Sequence, residues 1–208
     1  MNRFLIIVLV VGTWFLPAQL SERISEKDGR DAIHRWLARM PGAQGGSIVS
    51  IDDAAVMQAF PSERFYILRY PRYPVAQVLP EALTYNNLVV TSTDRRVEQI
   101  PDTTVLETIF RSKLITVKDE RRALSAVTAW LRLTQEFHQD GFLEFSKPDD
   151  TLKALRNSDG ITALGTTRVI AEAGNNGQIA VVIKFDRTGK CSEVQETANV
   201  IAGRRPNF

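Results

Sequence analysis

TTRVIAEAGNNGQIAVVIKFDRTGKCSEVQ, residues 166–195, is the stretch that decides the fold class of this 208-residue chain. It holds three runs rich in apolar and β-branched residues, separated by the turn sequences Gly174-Asn175-Asn176-Gly177 and Asp186-Arg187-Thr188-Gly189. Glycine and asparagine accept the backbone angles of tight turns, and β-branched side chains suit a pleated sheet. The pattern therefore predicts an antiparallel meander. Its predicted strands are 166–172, 179–185 and 191–195.

Helical patterns precede this meander. Apolar residues recur three and four positions apart after the capping-box spacing Thr116–Asp119, which predicts the longest helix, ended by Asp140-Gly141. The same signals predict a helix from Ser25 to Pro41 and another opened by Asp102. Shorter predicted elements are a helix at 52–60, strands at 47–51, 64–70, 88–91, 97–100 and 142–145, and a polar helical or loop connection at 148–160. We therefore expect an α+β protein in which helices pack on antiparallel meanders.

The chain is consistent with two diverged copies of one plan, each a helix followed by strands that end in a hairpin. The sequence Phe185-Asp186-Arg187-Thr188-Gly189-Lys190-Cys191 resembles the closing hairpin of PepSY-like and cystatin-like secreted domains. The resemblance covers about the last 90 residues, implies a fold, and supplies no catalytic residues. The expected organisation is a segment at 1–20, α+β halves at 25–113 and 116–202, and a tail at 203–208.

The N-terminal segment has the layout of a secretory signal peptide. A short positive start, Met1 to Arg3, is followed by an apolar run, Phe4 to Leu16, and by Ala18 at a candidate cleavage position. The run is shorter than the roughly 20 residues that a membrane-spanning helix needs, although an uncleaved anchor is an alternative. We expect export to the periplasm or the extracellular space.

Composition excludes several functional classes. The formal net charge is only +2, which does not favour a nucleic-acid partner held by phosphate neutralisation. One cysteine, Cys191, forms no intrachain disulfide and supplies no cysteine-ligated metal site, and His34 and His138 are the only histidines. We expect no cofactor and no metal ion.

Four sets of residues invite a chemical role. Cys191 is a candidate nucleophile, but it occupies the position that Val97 holds in the first hairpin, which predicts a buried structural residue. His138 and Asp140 form a candidate acid–base pair, although residues two apart do not share a helical face. Paired acids are candidate Ca²⁺ ligands or glycosidase carboxylates, yet acids beside helix-forming runs are more often caps. These pairs are Asp52-Asp53 and Asp149-Asp150.

The most unusual composition lies between residues 64 and 74, where arginine, tyrosine and proline alternate. Tyrosine and arginine are enriched at binding surfaces, and proline fixes a loop before it binds. Strand alternation places Phe65 and Ile67 on one face, which we assign to the core, and tyrosines on the other. The candidate binding residues are Tyr66, Arg69, Tyr70, Arg72 and Tyr73. The alternative is a strand and loop whose rings pack on Trp36.

These patterns favour an exported binding or interaction module without catalysis, with a protein, peptide or glycan partner, no nucleic acid, and membrane contact only through an uncleaved N-terminal segment. Two alternatives stay open at this point. One is a small exported enzyme with a cystatin-like cone pocket holding His138 or Asp140. The other is a membrane-tethered structural protein, which requires an uncleaved N-terminal segment.

Overall fold

The fold was determined as a computed structural model that describes residues 23–71, 78–139, 143–148, 151–171 and 174–201. Within these ranges the chain forms four α-helices and two antiparallel sheets, which confirms the predicted α+β class. The helices are α1 (Glu26–Leu37), α2 (Ala54–Ala59), α3 (Thr103–Lys113) and α4 (Glu120–His138). The strands are β1 (Ser47–Ser50), β2 (Arg64–Arg69), β3 (Asn86–Thr91), β4 (Val97–Ile100), β5 (Glu144–Phe145), β6 (Lys153–Asn157), β7 (Gly160–Ala171), β8 (Gly174–Asp186) and β9 (Cys191–Val200).

Acidic or hydroxyl side chains begin each helix. Ser25, Asp53, Asp102 and Asp119 accept hydrogen bonds from backbone N–H groups of the first turns of α1 to α4. These side chains satisfy donors that the helix itself leaves unpaired. The acid pair at Asp52-Asp53 is thus partly a helix cap, as its capping interpretation predicts. The longest helix is capped by Asp119, three residues after the predicted start at Thr116.

The first sheet has the order β1-β2-β3-β4 and is covered on both faces. On one face, Ile33 and Leu37 of α1 pack with Tyr66 and Leu68 of β2. On the other face, Phe65 and Ile67 belong to the larger core cluster that includes α2, α3 and α4. Burial on both faces explains why the four central residues of β2, FYIL, are aromatic or aliphatic.

The second sheet has the order β5-β7-β8-β9, and β6 also pairs with β7. The meander prediction is confirmed for β7, β8 and β9, but β7 already begins at Gly160. The turn predicted at 174–177 is wrong, because these residues form the start of β8 and pair with the end of β7, where the register is irregular. The expected helix or loop at 148–160 is wrong, because β6 occupies 153–157 and forms a tight hairpin with β7. Gly160 has a φ of 145°, and a Cβ there would lie 1.9 Å from the Phe185 carbonyl oxygen, so only glycine fits this hairpin.

Helix α4 lies between the two sheets. Its residues Val127 and Trp130 share one core cluster with Leu88 of the first sheet and Ile183 of the second. This core therefore draws on both of the halves expected at 25–113 and 116–202, and the division into two halves stays a prediction. The tail at 203–208 and the segment at 1–20 lie outside the described residues. No helix in the described ranges has the length and apolar character needed to cross a membrane.

Candidate binding site

Two of the predicted binding tyrosines lie in the interior. Tyr66 is 0% exposed and Tyr70 is 4% exposed, and both pack in the cluster beneath α1 against which Trp36 also packs. The Tyr66 hydroxyl donates to the Glu26 carbonyl oxygen at 3.2 Å, and the Tyr70 hydroxyl donates to the Ala43 carbonyl oxygen at 2.7 Å. Burial raises the pKa of both phenols. The expectation that these rings form an exposed surface is wrong, because α1 covers the face on which they lie.

The other predicted residues have different outcomes. Arg72 and Tyr73 lie outside the described residues. Arg69 is the last residue of β2 and faces α4, and 47% of its side chain is exposed. Of the five predicted residues, it is the one that the described structure places at the surface.

Arg69 belongs to a polar cluster formed with Asn86, Arg132 and Glu136, here called the Arg69 cluster. Glu136 lies in the last part of α4, and only 5% of its side chain is exposed. Arg132 Nη1 contacts Glu136 Oε1 at 2.7 Å, and Arg69 Nη2 contacts Glu136 Oε2 at 3.4 Å. A buried carboxylate is stable only when its charge is paired, so the two guanidinium groups compensate Glu136.

Asn86 joins the first sheet to the end of α4. It is the direct cross-strand partner of Arg69, so both side chains lie on the same face of the sheet. Asn86 Nδ2 donates to the Glu136 carbonyl oxygen at 2.5 Å, which satisfies a carbonyl of the last helical turn. The Asn86 Oδ1 atom is buried and receives no hydrogen bond from the described residues. One acceptor of the cluster is therefore left unused among the described residues.

Sequence reasoning found Arg69 but missed the other three members of the cluster. The spacing of Arg132 and Glu136 by four positions was a usable local signal, because such pairs interact on a helix surface. This spacing did not reveal that Glu136 is buried. Its burial depends on the first sheet, which packs against the side of α4 that carries Glu136. Asn86 carried no signal, because its role comes from its strand register with Arg69.

Of the predicted acid–base pair, His138 and Asp140, only His138 lies within the described residues. His138 is half-buried at the end of α4, and burial lowers its pKa, which favours the neutral imidazole. Asp140 lies outside the described residues. A cavity of about 400 Å³ lies at the opposite end of α4, where Arg121, Arg122 and Ser125 line it. That cavity therefore does not contain His138. His34 is exposed on α1.

Cys191 is buried at the start of β9, as predicted. Burial raises the pKa of its thiol to about 11, which is the opposite of what a nucleophilic thiolate needs. Its neighbours in the core cluster include Phe185, the residue opposite it on β8. The structural interpretation of this cysteine is supported by its position.

The acid pairs form no metal centre in the described ranges. Asp53 caps α2, and Asp52 accepts a hydrogen bond from Arg64 Nη1 at 3.2 Å. Asp149-Asp150 lies outside the described residues. Among the residues that the structure describes, no group of three or more His, Cys, Asp or Glu side chains is placed to hold a metal ion. Searches against protein families, curated proteins and solved structures find no match to this chain.

Proposed function

We propose that the chain is an exported, non-catalytic binding module, and that the Arg69 cluster contacts acidic side chains of a protein or peptide partner. The proposal rests on one observation, that Arg69 is both ion-paired and partly exposed to solvent. Its guanidinium is tied to the buried Glu136, yet about half of the side chain faces solvent. An arginine held in this way loses little further conformational freedom when it binds a partner.

Free hydrogen-bond donors support this proposal. A guanidinium carries five N–H donors in a rigid fork. Each arginine of the cluster uses one Nη atom for Glu136, and no other described residue accepts from Arg69 or Arg132. Arg132 is 29% exposed, so both side chains reach the surface. Their remaining donors suit the planar, two-oxygen geometry of a carboxylate.

The charge of the cluster favours a monovalent anion. Two arginines carry two positive charges, and Glu136 cancels one of them. The remaining single charge matches one carboxylate, whereas a phosphate group carries close to two negative charges near neutral pH. An acidic side chain of a peptide or protein is therefore the favoured ligand.

Fluorescence anisotropy with a labelled hexaglutamate peptide tests the site at low and moderate salt. We expect Arg69→Gln to weaken peptide binding about tenfold, because a hydrogen bond between charged groups contributes about 1.5 kcal/mol. Arg187→Gln is the matched control, since Arg187 is exposed and pairs with Asp159 far along the chain from the cluster. Equal losses in both variants, or no binding by the unmodified chain, would contradict the proposal.

The exported location rests on the N-terminal pattern and has a separate test. We expect N-terminal sequencing of the protein recovered outside the cytoplasm to begin after about residue 18 to 20, as signal peptides of this layout are removed on export. A product that still begins at Met1 and sediments with membranes would instead identify an uncleaved anchor.

A further inference from the structure

The free edge of β9 is the longest strand edge without a partner in the described structure. Strand β9 has ten residues and, among the residues that the structure describes, pairs only with β8. The other outer strands are shorter: β1 and β4 have four residues, β5 has two and β6 has five. Long unpaired edges are templates for strand addition, because their backbone donors and acceptors point outward.

The outer strand β1 has a side-chain contact to its backbone of a kind that no described residue makes to β9 between Val194 and Val200. Arg30 Nη1 donates to the Ile48 carbonyl oxygen of β1 at 2.6 Å. Between Val194 and Val200, β9 contains no lysine, arginine or proline, and its register irregularity lies near Cys191, outside this segment. The one charged residue between Val194 and Val200 is Glu196, which turns toward α4 and accepts a hydrogen bond from Trp130 Nε1 at 2.5 Å. The outer edge of this segment therefore carries none of the common blocking residues.

The hydrogen-bonding groups at the edge follow from the pairing with β8. The Ile201 N–H donates to the Asn176 carbonyl oxygen at 2.9 Å, so Ile201 points toward β8. Backbone groups alternate in direction along an antiparallel strand. The N–H and C=O groups that point outward therefore belong to Val194, Glu196, Ala198 and Val200.

We infer that β9 pairs antiparallel with β9 of a second copy of this chain, about a two-fold axis at Thr197. In this register Glu196 lies opposite Ala198 of the other copy, and Val194 lies opposite Val200. On the solvent side, Thr197 faces its own counterpart. All outward backbone groups of 194–200 then find partners, and no like charges are directly opposed.

Neighbouring registers are less favourable. An axis at Glu196 places two glutamates directly opposite each other, which is destabilising. An axis at Ala198 aligns only 196–200 within the strand, so fewer hydrogen bonds form. An axis at Gln195 brings the irregular region near Cys191 into the pairing. The axis at Thr197 is therefore the register with the most backbone hydrogen bonds and no like-charge pair.

Cysteine cross-linking of the full chain tests both the pairing and its register. Thr197 and its counterpart form a non-hydrogen-bonded pair with Cα atoms about 4.5 Å apart, which suits a disulfide. Thr197→Cys should therefore give a covalent dimer on a non-reducing gel after export or mild oxidation. Asn199→Cys is the matched control, because four residues of offset separate its two copies by about 13 Å, too far for a disulfide. Equal cross-linking of both variants would overturn the register.

Charge exchange at the same position gives an independent measurement by light scattering. The unmodified chain should contain dimers at about 100 µM, since a single strand pair is a small interface with weak affinity. Thr197→Lys and Thr197→Glu should each be monomeric, and an equimolar mixture should recover the dimer. The recovery excludes misfolding as the cause of dissociation. A monomeric unmodified chain, or a dimer unaffected by Thr197→Lys, would overturn the inference.

Discussion

Substituting Gly29 by alanine tests how closely α1 packs on the first sheet. A Cβ at position 29 would lie 2.0 Å from the Tyr66 hydroxyl oxygen and 2.8 Å from its Cζ atom. Tyr66 is fully buried, so its ring has no open space into which to move. The helix must therefore shift away from the sheet or the ring must leave its position.

Two opposing effects decide the sign of this change. Alanine in place of glycine favours a helix by about 1 kcal/mol. Overpacking of a core costs about 1–3 kcal/mol, and loss of the hydrogen bond from Tyr66 to the Glu26 carbonyl oxygen costs about 1 kcal/mol more. We expect Gly29→Ala to lower the free energy of unfolding by about 1–3 kcal/mol.

Urea denaturation followed by tryptophan fluorescence measures this difference. Tyr66→Phe removes the oxygen that clashes, so the double variant should be less destabilised than the sum of the two single variants. Asp31→Ala, on the exposed side of α1, is the control for helix propensity. A Gly29→Ala variant that is more stable than the unmodified chain by about 1 kcal/mol would refute the close packing of α1 on Tyr66.

The remaining predictions concern two titratable groups, the buried Cys191 and the half-buried Glu196. Cys191 should react slowly with a thiol reagent in the folded chain and rapidly in denaturant, because the thiol is buried and its pKa is raised to about 11. Rapid labelling of the folded chain would contradict the structural role of this cysteine. Burial raises the pKa of Glu196 above its unfolded value, so stability should fall as pH rises from the ordinary glutamate range through the folded pKa. Glu196→Gln should reduce this loss of stability, followed as the melting temperature while the pH rises from the ordinary glutamate range, and an unchanged loss would assign the effect to other groups.

Local sequence signals were sufficient for most secondary structure. The turn at 186–189 and the β-branched runs on either side of 174–177 predicted the meander of β7, β8 and β9, because Gly189 accepts the positive φ of a turn and such runs suit a sheet. Capping residues such as Ser25 and Asp102 predicted where helices begin. β6 was missed because its sequence, KALRN, is largely exposed and polar and becomes a strand by pairing with β7.

The sequence by itself also determined which side chains share a face of β2, since alternation is a property of the extended backbone. It placed Phe65 with Ile67 and Tyr66 with Tyr70. Whether a face is covered depends on elements far away in sequence, and here α1 covers one face while α4 covers the other. Tertiary structure alone therefore decided that the tyrosines are buried, and it brought Arg69 to Glu136, 67 positions further along the chain.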